Sequence, residues 1–261
     1  MSTPPDTQTV RFAQADLELF RDASGDRNPL HLSPDYASKT AYGQQVVFGA
    51  LGALACLGRL GRTNGLTITK LTADFHRPMF LGVTYGIRFS EQGGARTARL
   101  QDGTVPVLTL SVQYGKGPDI TERSGGSARF GRMEASEHNF GDLPAGTEIV
   151  GLWAADGSKL SEVCQQWSID ESDRPAAEAL LWSSYAVGME VPGKSALFFR
   201  VALEFTPNAI YDGAIAYSLK VTGANKTISQ IKVNAELRRG TQPFAHGQIV
   251  AFVRPEVPPM N

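Results

Sequence analysis

The chain has 261 residues, 42% of them hydrophobic, with 25 basic against 26 acidic side chains and a formal net charge of −1. That length can bury a sizeable core as one large or two small domains, and the neutral balance excludes the basic excess that phosphate neutralisation on nucleic acid needs. Arg238-Arg239 is too short a run to supply it.

Cys56 and Cys164 are too few for a disulfide scaffold and form no CxxC metal pair. They are expected to be buried free thiols in a reducing compartment. Met1–Val10 is polar and lacks an apolar h-region, and the apolar run at Val46–Leu57 is short and interrupted by glycine. Neither a secretory signal nor a membrane span is expected, and the expected location is cytoplasmic. Asn225-Lys226-Thr227 is then a chance glycosylation match.

Thr9–Phe12 alternates as a short strand, and Leu17, Leu19, Phe20 and Ala23 give Ala15–Ala23 helical spacing before Ser24-Gly25 stops it. A loop, Asp26–Leu32, follows. Ser33-Pro34-Asp35 is a strong helix start, with a hydroxyl cap, proline in the first turn and a carboxylate favoured by the helix dipole. This second helix is predicted to reach Tyr42 and end at Gly43. Val46–Leu60, rich in Gly, Ala and Leu, reads as a helix buried on several sides. Its glycines match neither G-x-G-x-x-G nor a phosphate loop. Strands at Leu66–Phe75, Val83–Phe89, Ala95–Leu100 and Val105–Tyr114, separated by glycine turns, complete an α+β unit.

Gly115–Gly126 loses the hydrophobic pattern and reads as connecting chain. The pattern then returns, with helices at Ser158–Trp167 and Ala176–Met189 and strands at Ala196–Phe205, Ala214–Thr222, Ile228–Leu237 and Gln248–Val253. Ala73-Asp74-Phe75 aligns with Leu203-Glu204-Phe205 and Gly82 with Gly213, an offset of roughly 130 residues. Two copies of one fold are predicted side by side: residues 1–116, a linker over 117–145, and residues 146–261.

The string Ser24-Gly25-Asp26-Arg27-Asn28-Pro29-Leu30-His31, with Ala37 beyond it, carries the most chemical information. Fragments of it are ordinary turn chemistry, with His31 as a helix cap. The whole string, however, resembles the signature of the MaoC-like, or type 2 enoyl-CoA hydratase, family. The resemblance continues through Asp35-Tyr36-Ala37, Thr40, Gly43 and Val47-Phe48-Gly49 to Phe75-His76-Arg77-Pro78-Met79-Phe80-Leu81-Gly82, covering about residues 8–116. It implies tandem hotdog folds of α+β class, each a long central helix wrapped by an antiparallel sheet and packed as a pseudo-dimer.

The resemblance implies that Asp26 and His31 are the catalytic pair. Adding water across a thioester-conjugated double bond needs a base for water, a proton for C2 and donors to the thioester oxygen. Asn28 would brace the loop, Pro29 would stiffen it, and Gly49 would offer its backbone N–H at a helix start. Trans-2-enoyl and (3R)-3-hydroxyacyl thioesters would be interconverted without metal or redox cofactor. Phe48 stands where the family commonly has histidine, so pocket polarity is expected to differ. His76, His138 and His246 are expected to be structural.

The second half lacks the motif. Asp170 falls near the place of Asp26, but Glu171-Ser172-Asp173-Arg174-Pro175 follows it without Asn-Pro-x-His. Asp170 is expected to be a helix-terminating or surface residue. The empty copy would line the acyl tunnel, with Trp182, Tyr185, Phe198 and Phe199 as candidates beside Phe48, and its shortened form suggests room for a bulky or long acyl chain. For each aromatic, an ordinary core role is the competing reading. Arg59 and Arg62 would give a basic rim for an acidic carrier, either CoA or acyl carrier protein, although cations at a helix C-terminus have a local explanation as well. The expected functional unit is either the single chain or a homodimer of it. The alternatives are a hotdog thioesterase and a non-catalytic partner subunit shaping another protein's tunnel.

Overall fold

Ten strands join in one antiparallel sheet in a computed structural model that describes residues 8–61, 66–116, 128–138, 140–206 and 213–254. The first half supplies β1 (Gln8–Arg11), β2 (Leu66–Phe75), β3 (Thr84–Gln92), β4 (Ala95–Asp102) and β5 (Val105–Lys116). The second supplies β6 (Glu148–Trp153), β7 (Ala196–Phe205), β8 (Ile215–Asn225), β9 (Gln230–Arg239) and β10 (Gln242–Val253). The order β1-β3-β4-β5-β2-β7-β10-β9-β8-β6 repeats one five-stranded arrangement in reverse across the β2–β7 seam.

The seam runs from Lys70↔Glu204 to Asp74↔Arg200 and centres on Thr72↔Ala202, two positions separated by the repeat interval of 130. Equivalent positions facing each other define an approximate two-fold axis through that pair. The axis also exchanges the flanking ion pairs, Lys70–Glu204 at 2.8 Å and Arg200–Asp74 at 3.4 Å. These are solvated and contribute little. The seam is held mainly by its backbone ladder and by buried Leu71, Ala73, Val201 and Leu203.

The helices are α1 (Gln14–Ser24), α2 (Pro29–Leu32), α3 (Pro34–Ser38), α4 (Gly49–Leu57), α5 (Gly157–Trp167) and α6 (Arg174–Tyr185). A π turn, Ala186–Glu190, prolongs α6. α4 packs on β4, β5 and α6, while α1 packs on α5 and α6. Every residue of α4 from Ala50 to Leu57 is buried, as its small side chains predict. Just past its end, a Cβ on Gly58 would overlap the Trp167 carbonyl oxygen. Both cysteines are buried and free, and the Cys56 thiol is pushed up to about 12 by burial. No described helix is long and apolar enough to cross a membrane.

Several boundaries differ from expectation for identifiable reasons. α4 begins at Gly49 because Val46 bridges Phe80 and the Val47 N–H donates to Met79 O at 2.8 Å. α3 stops at Ser38 because i→i−3 bonds from Lys39 and Thr40 tighten the chain. β6 was not anticipated; it is an edge strand with only Trp153 buried, so it lacks a clear alternation. Of the expected linker, residues 128–138 form bridges at Arg129↔Ala154 and Glu137↔Gly193, so they are more than connecting chain. Asp170 accepts from Ser172 N–H at 3.2 Å, capping the short turn before α6. Gly82 and Gly213, aligned by sequence, both adopt left-handed conformations, with φ of 75° and 83°.

Gly58 has a helical φ of −64°, so alanine there is conformationally acceptable and its cost is steric alone. Gly58→Ala is expected to destabilise the chain by about 1–3 kcal/mol in urea unfolding.

Candidate active site

The segment between α1 and α4 is shaped by contacts between close neighbours in sequence. Gly25 ends α1 at φ 73°, its N–H donating to Arg21 O. The Ser24 hydroxyl donates to Phe20 O at 2.7 Å and accepts from Asp26 N–H at 3.0 Å. Asp26 Oδ1 then accepts from Asn28 N–H at 3.0 Å. Asn28 Oδ1 caps α2 by accepting from Leu30 N–H at 3.0 Å, with Pro29 in the first turn. One turn later, His31 Nδ1 lies 2.7 Å from Val46 O. A carbonyl can only accept, so Nδ1 carries the hydrogen and Nε2 keeps its lone pair.

The second half closes over this loop. Ser184, in the last turn of α6, donates its hydroxyl to Asp26 Oδ2 at 2.7 Å. A Cβ on Gly188 would overlap the Asp26 carboxylate, so the π turn approaches that closely only because it has glycine there. Asn28 Nδ2 donates to the carbonyls of Gly193 and Lys194, each at 3.3 Å, and Trp153 Nε1 donates to Ser24 O at 2.8 Å.

Asp26 and His31 line one cavity of about 220 Å³, together with Asn28 and Gly49. Ser184 and Gly188 form part of its other wall, beside Leu197, Phe198, Phe199 and Phe252. Exposed His76, Arg77 and Pro78 stand at its rim. Asp26 is 2% exposed. Desolvation pushes its carboxyl up to about 7 against the opposing hydrogen bonds from Asn28 and Ser184. Desolvation pushes half-buried His31 down to about 4, outweighing its bond to Val46 O.

The other expected binding residues are placed differently. Phe48 is fully buried outside the cavity lining, with ring centroids 4.0 Å from His31 and 4.5 Å from Phe20, so it buttresses the imidazole. Gly49 opens α4; Phe48 offers its first-turn amides no side-chain acceptor, and a Cβ on Gly49 would stand 2.9 Å from the Phe75 ring. Arg59 turns back to Ala55 O at 2.9 Å and lies over Trp167, away from the cavity. Arg62 lies outside the described residues. Trp182 packs on Tyr217 in the core, and Tyr185 bonds to Glu190, so neither lines the cavity. Phe198 and Phe199 do. His76, expected to be purely structural, bonds Thr109 Oγ1 at 3.0 Å and also stands at the rim. Ser184 and Gly188 were missed. Their signal was faint: a hydroxyl pair, Ser183-Ser184, and a glycine inside an otherwise apolar helix.

The two-fold axis generates a second hollow, of about 320 Å³, where Ser168 ends α5 in a left-handed turn as Gly25 ends α1. Its lining includes Gly58, Asp170 and Asp173, and none of the described lining residues is a histidine. The symmetric position has kept carboxyl groups without an imidazole.

The pattern of the MaoC like domain matches residues 1–113. An (R)-specific enoyl-CoA hydratase from Aeromonas caviae is 36% identical over 107 residues, which are 39% of this chain and 75% of that protein. A 3-hydroxybutyryl-CoA dehydratase from Methylorubrum extorquens is 31% identical over 74 residues, covering 27% of this chain and 47% of its own. A solved MaoC-like dehydratase superposes on 96% of this chain and 97% of itself, with TM-score 0.66 and 16% identity. A hot dog fold protein from Alicyclobacillus acidocaldarius covers 91% of this chain and 98% of itself, with TM-score 0.51 and 10% identity. These structural likenesses show the tandem hotdog fold across both halves, whereas the family pattern stops within the first.

Asp26 keeps its proton to about pH 7 when folded, against an ordinary value of 3.8, so between these values the folded chain binds more protons and stability falls as pH rises. Asp26→Asn removes that loss. Its stability relative to the parent chain is expected to climb between about pH 4 and 7, by up to about 1.4 kcal/mol per pH unit, and then level off. Urea unfolding across pH checks this, and a flat difference contradicts the burial of the carboxyl.

Proposed function

The chain belongs to the MaoC-like family, and from that premise we propose that it is a lyase interconverting trans-2-enoyl and (3R)-3-hydroxyacyl thioesters of CoA or acyl carrier protein. The observation that carries the reading is one cavity in which burial drives the carboxyl of Asp26 and the imidazole of His31 in opposite directions. Between about 4 and 7 the favoured state of the pair is a protonated carboxyl beside a neutral imidazole, one donor and one acceptor.

In the hydration direction, His31 Nε2 takes a proton from water as its oxygen forms a bond to C3. The electrons of the double bond shift toward C2 and the thioester oxygen, and Asp26 returns a proton to C2. The pair then holds the same single proton, now on the imidazole, and transfer from His31 to Asp26 restores the starting state. Dehydration runs the same steps backward. The Gly49 N–H, at the start of α4 and in the cavity lining, would stabilise charge on the thioester oxygen. Asn28 holds the loop rather than exchanging protons. The acyl chain lies against the apolar wall from β7 and β10, Leu197, Phe198 and Phe252.

Loss of the enoyl-thioester ultraviolet band on adding protein to trans-2-enoyl-CoAs or carrier-bound enoyl groups tests this reading. Asp26→Asn and His31→Ala should each lower kcat by about 10²–10⁴-fold. No turnover of either substrate class by the parent chain would reject the assignment. The pH profile of kcat/KM should be bell-shaped, with an acid limb near 4 from His31 and an alkaline limb near 7 from Asp26. Ser184→Ala removes a bond that favours the ionised carboxylate, so the alkaline limb should move upward. Each acyl methylene that reaches the β7–β10 wall should add up to about 0.8 kcal/mol of binding. A clear preference for crotonyl over longer chains would contradict that acyl placement.

A further inference from the structure

Outside the cavity, the Glu190 carboxylate sits where the π turn after α6 ends and accepts three side-chain hydrogen bonds. It is 4% exposed. Oε1 accepts from the Tyr185 hydroxyl at 3.0 Å and the Tyr217 hydroxyl at 2.9 Å, and Oε2 accepts from Arg132 Nε at 2.7 Å. The Tyr185 hydroxyl in turn accepts from Arg132 N–H at 2.6 Å. A buried carboxylate costs several kcal/mol of desolvation unless fully partnered, and a core position here could have been apolar. The arrangement joins three separate stretches of chain at a single residue.

One of those stretches, residues 128–138, belongs to the expected linker. It continues the same grip along the backbone. The Ser136 hydroxyl donates to Glu190 O, Ser136 N–H donates to Met189 O at 2.9 Å, and Lys194 N–H donates to Ser136 O at 2.8 Å. The segment 186–194 is therefore clamped on one side by the linker. Its other side touches the motif loop. Gly188 abuts the Asp26 carboxylate, Met189 Sδ accepts from Arg27 N–H at 3.1 Å, and the carbonyls of Gly193 and Lys194 hold the Asn28 amide.

We infer that Glu190, tied by Arg132 to the 128–138 segment, is a positioning residue that sets the placement of the Asp26–His31 loop from the opposite half of the chain. This rests on the hydratase reading of that loop. Glu190 touches no reacting atom; it fixes a short backbone segment whose far side forms the back of the cavity. A displacement of the pair by a fraction of an ångström costs rate without disturbing the acyl wall.

The test uses the full chain with Glu190→Gln, Arg132→Ala, Arg132→Lys and the Glu190→Gln/Arg132→Ala double variant. Steady-state hydration and hydrogen exchange over residues 24–33 are measured on each. Folded Glu190→Gln is expected to lose about 10–100-fold in kcat at nearly constant KM, with faster exchange over 24–33. Arg132→Lys should recover part of what Arg132→Ala loses. The double variant should be little worse than the weaker single, because both act through one network. If Glu190→Gln does not fold, Tyr217→Phe, which removes one donor to the same oxygen, takes its place with the same expectations. A folded variant with parental kcat overturns the inference. If the parent chain hydrates no thioester, the hydratase reading fails by itself, and exchange alone decides the positioning role of Glu190: unchanged exchange over 24–33 in the variants overturns it.

Discussion

Five residue pairs between β2 and β7 determine how everything else meets. Separate half-sheets would each present an unpaired edge, with Leu71, Ala73, Val201 and Leu203 at its rim. Paired in the observed register, they fix an axis through Thr72 and Ala202, and that axis brings the end of α6 to the loop after α1. It equally brings the end of α4 to the loop after α5, where Gly58 lies against Trp167. One register thus creates two hollows, and the local sequence in each decides what chemistry is left there.

Within the first hollow, electrostatics follow from enclosure more than from neighbouring charge. Desolvation is the largest influence on both Asp26 and His31, and it favours the neutral form of each. Their contributions to folding have opposite slopes. Across the interval between about 4 and 6.5, rising pH weakens the fold through Asp26 and strengthens it through His31. The opposing slopes therefore leave little net change in stability from the pair over that interval. The second hollow has no such balance, because the carboxyl of Asp173, pushed up to about 7, stands among lining residues without an imidazole.

What was legible in the sequence was mostly local. Ser24, Asp26, Asn28 and Leu30 shape one another through bonds spanning two residues, so a short string contains nearly the whole conformation of the loop. The repeat of about 130 residues was legible for a similar reason, since each half carries its own ordered set of strands. The contributions of Ser184 and Gly188 were not, because they depend on a contact 158 or more residues away in the chain. Aromatic identity also failed to separate roles. Trp182 and Tyr185 face the core while Phe198 and Phe199 face the cavity, a distinction made by helix rotation and by strand position rather than residue type. Arg59 followed the rule for cations at a helix C-terminus, which needed no substrate to explain it.

Placing both cavity walls on one polypeptide changes the mass action of the site. Were the Asp26 wall and the Ser184 wall carried by separate subunits, the fraction of assembled sites would fall with dilution according to a dissociation constant. Here closure of the seam is intramolecular, and its effective concentration is set by the intervening chain rather than by the amount of protein present. The stoichiometry of the two walls is fixed at one to one. Release from identical-subunit symmetry also leaves each hollow free to diverge, so the one with the imidazole and the one without can be altered independently.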